Sequence, residues 1–148
     1  MSDRPTKQQL ELIERFKNFY KDVRKPALDS IGDIYASDVR FKDPVHEITG
    51  MAELHAYLAD ISANVESGRF EFLDQMVSAD TAYIKWNMYF RHPKLGNKTH
   101  VVRGMSQVQF NDRITYHEDV YDMGQMLYEH IPFLGRIVRG LKNRLAVQ

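Results

Sequence analysis

The ten residues FKDPVHEITG, positions 41–50, decide how this chain folds. A short β-forming run at 39–42 stops at Asp43-Pro44, because proline lacks the N–H that a strand ladder needs and restricts the residue before it. Gly50 then opens a run with Met51, Leu54, Tyr57, Leu58 and Ile61 at helical spacing. The segment therefore puts a carboxylate at the end of a strand, just ahead of a helix. A second segment, HEDVYD at 117–122, carries His117 and Asp119 on one face of the last strand, since strand side chains alternate.

On the N-terminal side, Thr6 caps a helix whose Leu10, Ile13, Phe16, Phe19, Tyr20 and Val23 form an apolar stripe. Pro26 suits the first turn of a second helix presenting Leu28, Ile31, Ile34 and Tyr35. After Ser67-Gly68 the period changes from helical to strand-like. Strands are expected over 69–77, 81–91, 99–110 and 113–121, with turns at Ser78-Ala79-Asp80 and Asn111-Asp112 and a longer loop over 92–97. Three helices interrupted by one strand, then four long strands, predict an α+β fold: a cone-shaped, curved antiparallel sheet wrapped around the N-terminal helices.

A two-residue turn at Asn111-Asp112 sets Phe110 opposite Arg113. One face then carries Val102, Gly104, Ser106, Val108 and Phe110 beside Thr115, His117, Asp119 and Tyr121. Arg103 falls on the other face. In the preceding strand Ile84, Trp86 and Met88 point inward.

The length, 148 residues, fits one domain spanning 1–148, with residues 126–148 as a C-terminal helical extension. In that extension Ile131, Leu134, Ile137, Val138, Leu141 and Leu145 form an apolar stripe, flanked by Arg136, Arg139, Lys142 and Arg144, and acidic residues are absent from Ile131 onward. Packing against its own domain or a twin subunit is the expected use; contact with an anionic membrane surface is the minor one.

Twenty basic and twenty acidic residues cancel, so no overall field draws in nucleic acid. The absence of cysteine excludes disulfides, thiolate metal sites and a cysteine nucleophile. The polar N-terminus reads as no secretory signal, and no run reaches membrane-spanning length, so a cytoplasmic location is expected.

With those segments in view, the chain resembles the nuclear-transport-factor-2-like superfamily and, more narrowly, its SnoaL-like proteins. That group includes polyketide cyclases and lies close to ketosteroid isomerases and limonene epoxide hydrolases. The resemblance spans roughly residues 8–125 and rests on YASDVRFKDP at 35–44, Gly50 before a helix, and residues 114–122. It implies that Asp43 matches the isomerase general base and that Ser106 falls where the isomerases keep a protonated aspartate. Their oxyanion-hole tyrosine falls at Phe16 or Phe19, with Tyr20 adjacent and off phase. Asp119 matches an acidic position that the cyclases and epoxide hydrolases use for acid/base work.

Asp43, His117 and Asp119 are thus the candidate catalytic residues. Phe16, Phe19, Tyr20, Tyr35, His46, Tyr57, Trp86, Ser106 and Tyr121 are the candidate pocket residues. Each has a structural alternative: an Asp-Pro carboxylate can serve its own turn, and Asp119 can simply fix the tautomer of a buried His117. A metal needs three convergent ligands, and His117 with Asp119 supplies two, so neither metal nor cofactor is expected.

Two function classes stay open. One is a non-catalytic module that binds a small hydrophobic molecule or dimerises. The other is a cofactor-independent isomerase, cyclase or lyase using Asp43 or Asp119 on a small carbonyl compound.

Overall fold

The computed structural model describes residues 3–126 and 134–146. Helix α1, Lys7–Tyr20, begins with a capping box in which Thr6 Oγ1 accepts from the Gln9 N–H at 3.1 Å and Gln9 Oε1 accepts from the Thr6 N–H at 2.9 Å. It buries Leu12, Ile13, Phe16 and Phe19. The segment expected as a second helix is a six-residue 3₁₀ turn, Leu28–Asp33. Ser30, Gly32 and two aspartates are poor helix formers, and only Ile31 is buried to offset them. Tyr35 therefore leaves the helical region and starts strand β1, Tyr35–Lys42.

Strand β2, Glu47–Thr49, turns back on β1. Gly50 adopts φ +92°, a left-handed conformation that side chains disfavour, and its N–H donates to the Val39 carbonyl at 2.7 Å. Helix α2, Met51–Asn64, follows and buries Leu54 and Leu58. Strands β3 (Ser67–Val77), β4 (Thr81–Arg91), β5 (His100–Phe110) and β6 (Ile114–Tyr121) form the long antiparallel run. The sheet order is β2-β1-β6-β5-β4-β3, with β1 parallel to β6. That parallel pair is additional to the expected antiparallel strands. Bulges at Phe72/Asp74 and Gln109/Phe110 bend the sheet, which stays unclosed. The core unites α1, α2, β1, β4 and β5 around Ile13, Phe16, Tyr35, Leu54, Ile84 and Val108.

The β5–β6 connection differs from the expected two-residue turn. Phe110 pairs with Ile114 across three residues, and a bulge at Thr115 then moves the ladder to Gln109↔Tyr116, Val108↔His117 and Ser106↔Asp119. Relative to the expected pairing the register shifts by two residues. A shift of two keeps His117, Asp119 and Tyr121 on their expected face, whereas Ile114, expected on the opposite face, pairs with Phe110 before the bulge and is buried.

After β6 come a single turn, α3 (Met123–Met126), and helix α4 (Leu134–Ala146). Ile131 lies outside the described residues. Within α4, Ile137, Leu141 and Leu145 are exposed and Val138 is half-buried. Lys142 Nζ bonds Asp122 Oδ2 at 2.6 Å, which ties α4 to the end of β6. Despite partial burial, that bond and the N–H groups of Gln125 and Gly124 hold the Asp122 carboxyl below its ordinary value. No helix among the described residues is long and apolar enough to cross a membrane.

Candidate active site

A cavity of about 470 Å³ opens between α1, α2 and the sheet. Its wall is chiefly apolar: Phe19, Tyr20, Phe41, Leu58, Ile61, Phe70, Trp86, Met88, Phe90, Tyr121, Met123 and Met126. Two carboxylates, Asp43 and Asp119, reach it, with His46 and Tyr57. A wider groove of about 1040 Å³ beside the end of α1 is lined largely by charged side chains, including Arg15, Lys21, Arg24, Lys25, Glu66 and Arg69, and neither carboxylate reaches it. Small-molecule sites are mostly apolar with a few convergent polar groups, and the smaller cavity has that character.

Asp119 is the meeting point of a buried chain of hydrogen bonds. Ser106 Oγ donates to its Oδ1 at 2.5 Å, and His117 Nε2 lies 2.7 Å from the same atom. Trp86 Nε1 donates to Ser106 Oγ at 2.9 Å. On the other side of the imidazole, Nδ1 lies 2.8 Å from the Tyr35 hydroxyl, which lies 2.5 Å from the Tyr20 hydroxyl. One assignment gives each donor an acceptor: Tyr20 to Tyr35, Tyr35 to Nδ1, and Nε2–H to Asp119. Burial pushes the Tyr20 and Tyr35 hydroxyls well above the ordinary tyrosine range, so both keep their protons at neutral pH. His117 sits among Phe16, Tyr20, Tyr35 and Phe41, whose ring centroids are 4.9–6.0 Å from its own. Asp119 Oδ2 takes no hydrogen bond from any described residue.

Asp43 is held differently. Its Oδ1 accepts from the backbone N–H of Val45 at 2.8 Å and of His46 at 2.6 Å, and its Oδ2 accepts from the Tyr57 hydroxyl at 2.7 Å. His46 Nδ1 lies 3.2 Å from Oδ1 and 3.3 Å from Oδ2. Burial, reinforced by the bond to Asp43, drives the Tyr57 hydroxyl far above its usual value. Burial likewise raises the Tyr121 hydroxyl, with the Asp43 and Asp119 charges adding to the effect.

Of the pocket residues expected from sequence, Phe19, Tyr20, His46, Tyr57, Trp86 and Tyr121 line the cavity. Phe16, Tyr35 and Ser106 lie behind its wall, the first two against His117 and the third between Trp86 and Asp119. Tyr20, read as off phase, comes one turn after Phe16 and reaches the cavity. Phe41, Phe70, Phe90, Met123 and Met126 were not foreseen. Continuing the alternation from Trp86 and Met88 finds Phe90, whereas the bulge at Phe72/Asp74 obscures β3.

Gly104 sits against Trp86 closely enough that an added Cβ would overlap the far edge of the indole, with Cζ3 at 2.6 Å. The indole is buried and pinned by Ser106, so it has little room to yield. Gly104→Ala should therefore lose about 2–3 kcal/mol in a denaturant melt. An unchanged midpoint would mean that the indole is not fixed as described.

Comparison with known proteins bears on this geometry. A family model described as a SnoaL-like domain matches residues 16–117. The chain belongs to the SnoaL-like family. No curated protein matches it. Among solved structures, an LEH-like epoxide hydrolase from M. tuberculosis shares 14% identity at TM-score 0.69, covering 97% of this chain and 98% of that one. A putative SnoaL-like polyketide cyclase from Shewanella putrefaciens CN-32 shares 15% identity at TM-score 0.66, with 78% and 93% covered. A hypothetical protein with a ketosteroid isomerase-like fold from Catenulispora acidiphila, solved with trimethylamine, shares 15% identity at TM-score 0.70, with 79% and 89% covered. At these identities the likeness is one of fold, and the SnoaL-like scaffold hosts several chemistries.

Proposed function

We propose that this SnoaL-like protein is an acid/base enzyme acting on a small apolar carbonyl compound, with Asp119 moving the proton. One observation carries the reading: Asp119 Oδ1 is fixed by Ser106 and His117, while Oδ2 is left without a partner among the described residues on an apolar cavity wall. A base needs an oriented carboxylate with a free lone pair facing substrate. Asp43 has both oxygens engaged by its own turn and by Tyr57, so in this reading it shapes the mouth and orients the Tyr57 hydroxyl.

Asp119 Oδ2 takes the proton from a carbon beside the carbonyl, and the electron pair moves onto the carbonyl oxygen. Tyr121 stands two residues further along the same face of β6, protonated and without a hydrogen-bond partner among the described residues. Its hydroxyl donates to the developing enolate oxygen. With a β,γ-unsaturated substrate the resulting dienolate takes the proton back from Asp119 at its γ-carbon, which is isomerisation. With a second carbonyl in reach the enolate carbon attacks it and the alkoxide formed takes the proton from Asp119, which is cyclisation.

Trp86 is the only tryptophan and lines the cavity, so its fluorescence reports occupancy. Titration with a panel of cyclic ketones and enones should shift that emission, and in D₂O the bound compounds should exchange their α-protons faster than in buffer, as followed by proton NMR. Binding without accelerated exchange would leave a ligand carrier and end the acid/base reading.

A further inference from the structure

We propose that α4 is a docking helix for an anionic lipid surface. Its Ile137, Leu141 and Leu145 recur every four residues and are 47%, 54% and 70% exposed, rising toward the C-terminal end. A stripe this exposed contributes little to the fold of the single chain. The residues around it are of one sign: Arg136, Arg139, Lys142 and Arg144, with no aspartate or glutamate anywhere from residue 131 to 148. Arg136, Arg139 and Arg144 are exposed. The whole chain is balanced at twenty basic and twenty acidic residues, so the remainder, with 16 basic and 20 acidic residues, is net negative and the cationic excess is local to this C-terminal stretch.

Charge complementarity selects the occupant. A second copy laid helix to helix would face cations with cations, and no carboxylate on either helix could neutralise them. A bilayer rich in anionic headgroups offers phosphate to the arginines and an acyl boundary to the apolar side chains, which is how amphipathic helices lie in the interface plane. Over its described residues the helix is not long and apolar enough to cross a membrane. The Lys142–Asp122 bond, 2.6 Å, holds it to the end of β6, so lipid contact at α4 tethers the whole domain. The turn that precedes it in sequence, α3, supplies Met123 and Met126 to the cavity wall, which keeps an apolar-ligand cavity near the phase where such ligands dissolve.

The test is sedimentation of the full chain with vesicles of phosphatidylcholine alone or containing one third phosphatidylglycerol. The protein should pellet with the anionic vesicles and stay in solution with the neutral ones. Arg136→Gln and Arg144→Gln should each lower the partition coefficient about five-fold, as about 1 kcal/mol per cation near the surface implies. The pair Ile137→Asn with Leu141→Asn should abolish binding while changing the melting temperature little, because about half of each residue is already exposed. Equal binding to both vesicles, or to neither, overturns the proposal. So does a native mass that falls from dimer to monomer in the Asn pair while vesicle binding is absent, since α4 would then join two copies.

Discussion

Asp119→Asn should slow the α-proton exchange of a bound carbonyl compound by about two to four orders of magnitude while changing stability by less than about 1 kcal/mol. The two effects separate because the two oxygens of Asp119 do different work. Oδ1 serves the fold, accepting from Ser106 and His117. An asparagine carbonyl oxygen accepts both bonds at the same position. It loses part of their charge-assisted strength and also the cost of holding a carboxylate in an apolar wall, and these changes offset. Oδ2 serves the chemistry, and an amide nitrogen there has no lone pair to take a proton. Asp119→Ala is the informative contrast: it strands the His117 N–H and the Ser106 hydroxyl, and should cost about 2–4 kcal/mol as well as activity. A melting temperature for Asp119→Asn depressed as far as that of the alanine variant would make the carboxylate structural. Undiminished exchange would move the base elsewhere, and Asp43 would be the next carboxylate to test.

Much of this arrangement is legible in the chain. The switch from helical to alternating periodicity at Ser67-Gly68, the proline after Asp43 and the glycine before α2 dictate helices on one face of a bent sheet. The spacing of His117 and Asp119 dictates that they share a face. That assignment survives a wrong turn length, because Thr115 bulges out and the register moves by an even number. What was hidden is tertiary. Tyr35 reads as the end of a helix because Ile31, Ile34 and Tyr35 have helical spacing, yet Ser30 and Gly32 let the chain tighten into a 3₁₀ turn and enter the sheet. The link from Tyr20 through Tyr35 to His117 joins residues of α1, β1 and β6, at separations of 15 and 82 positions. No local pattern announces it. Nor does spacing tell Asp43 from Asp119: one carboxylate directly follows β1 and the other lies on β6, and only the partners of each oxygen separate one bound by its own turn from one open to the cavity.

His117→Ala should be the most destabilising single substitution in the site, costing about 3–5 kcal/mol, or roughly 10 °C or more in melting temperature. The imidazole is 1% exposed and enclosed by Phe16, Tyr20, Tyr35 and Phe41, rings too constrained by their own packing to collapse into the gap. The variant therefore pays a cavity term, and it also removes an acceptor from the buried Tyr35 hydroxyl and a donor from Asp119. His46→Ala supplies the scale. That imidazole is 46% exposed and its contact with Asp43 at 3.2 Å duplicates two backbone N–H bonds, so its loss should stay below about 1 kcal/mol. His117→Gln, which can still donate to Asp119, should fall between the two. The ordering of the three melts is the decisive readout: if the His117 and His46 alanine variants unfold together, the hydrogen-bonded chain through the core does not hold Asp119, and the carboxylate loses the support on which its proposed chemistry depends.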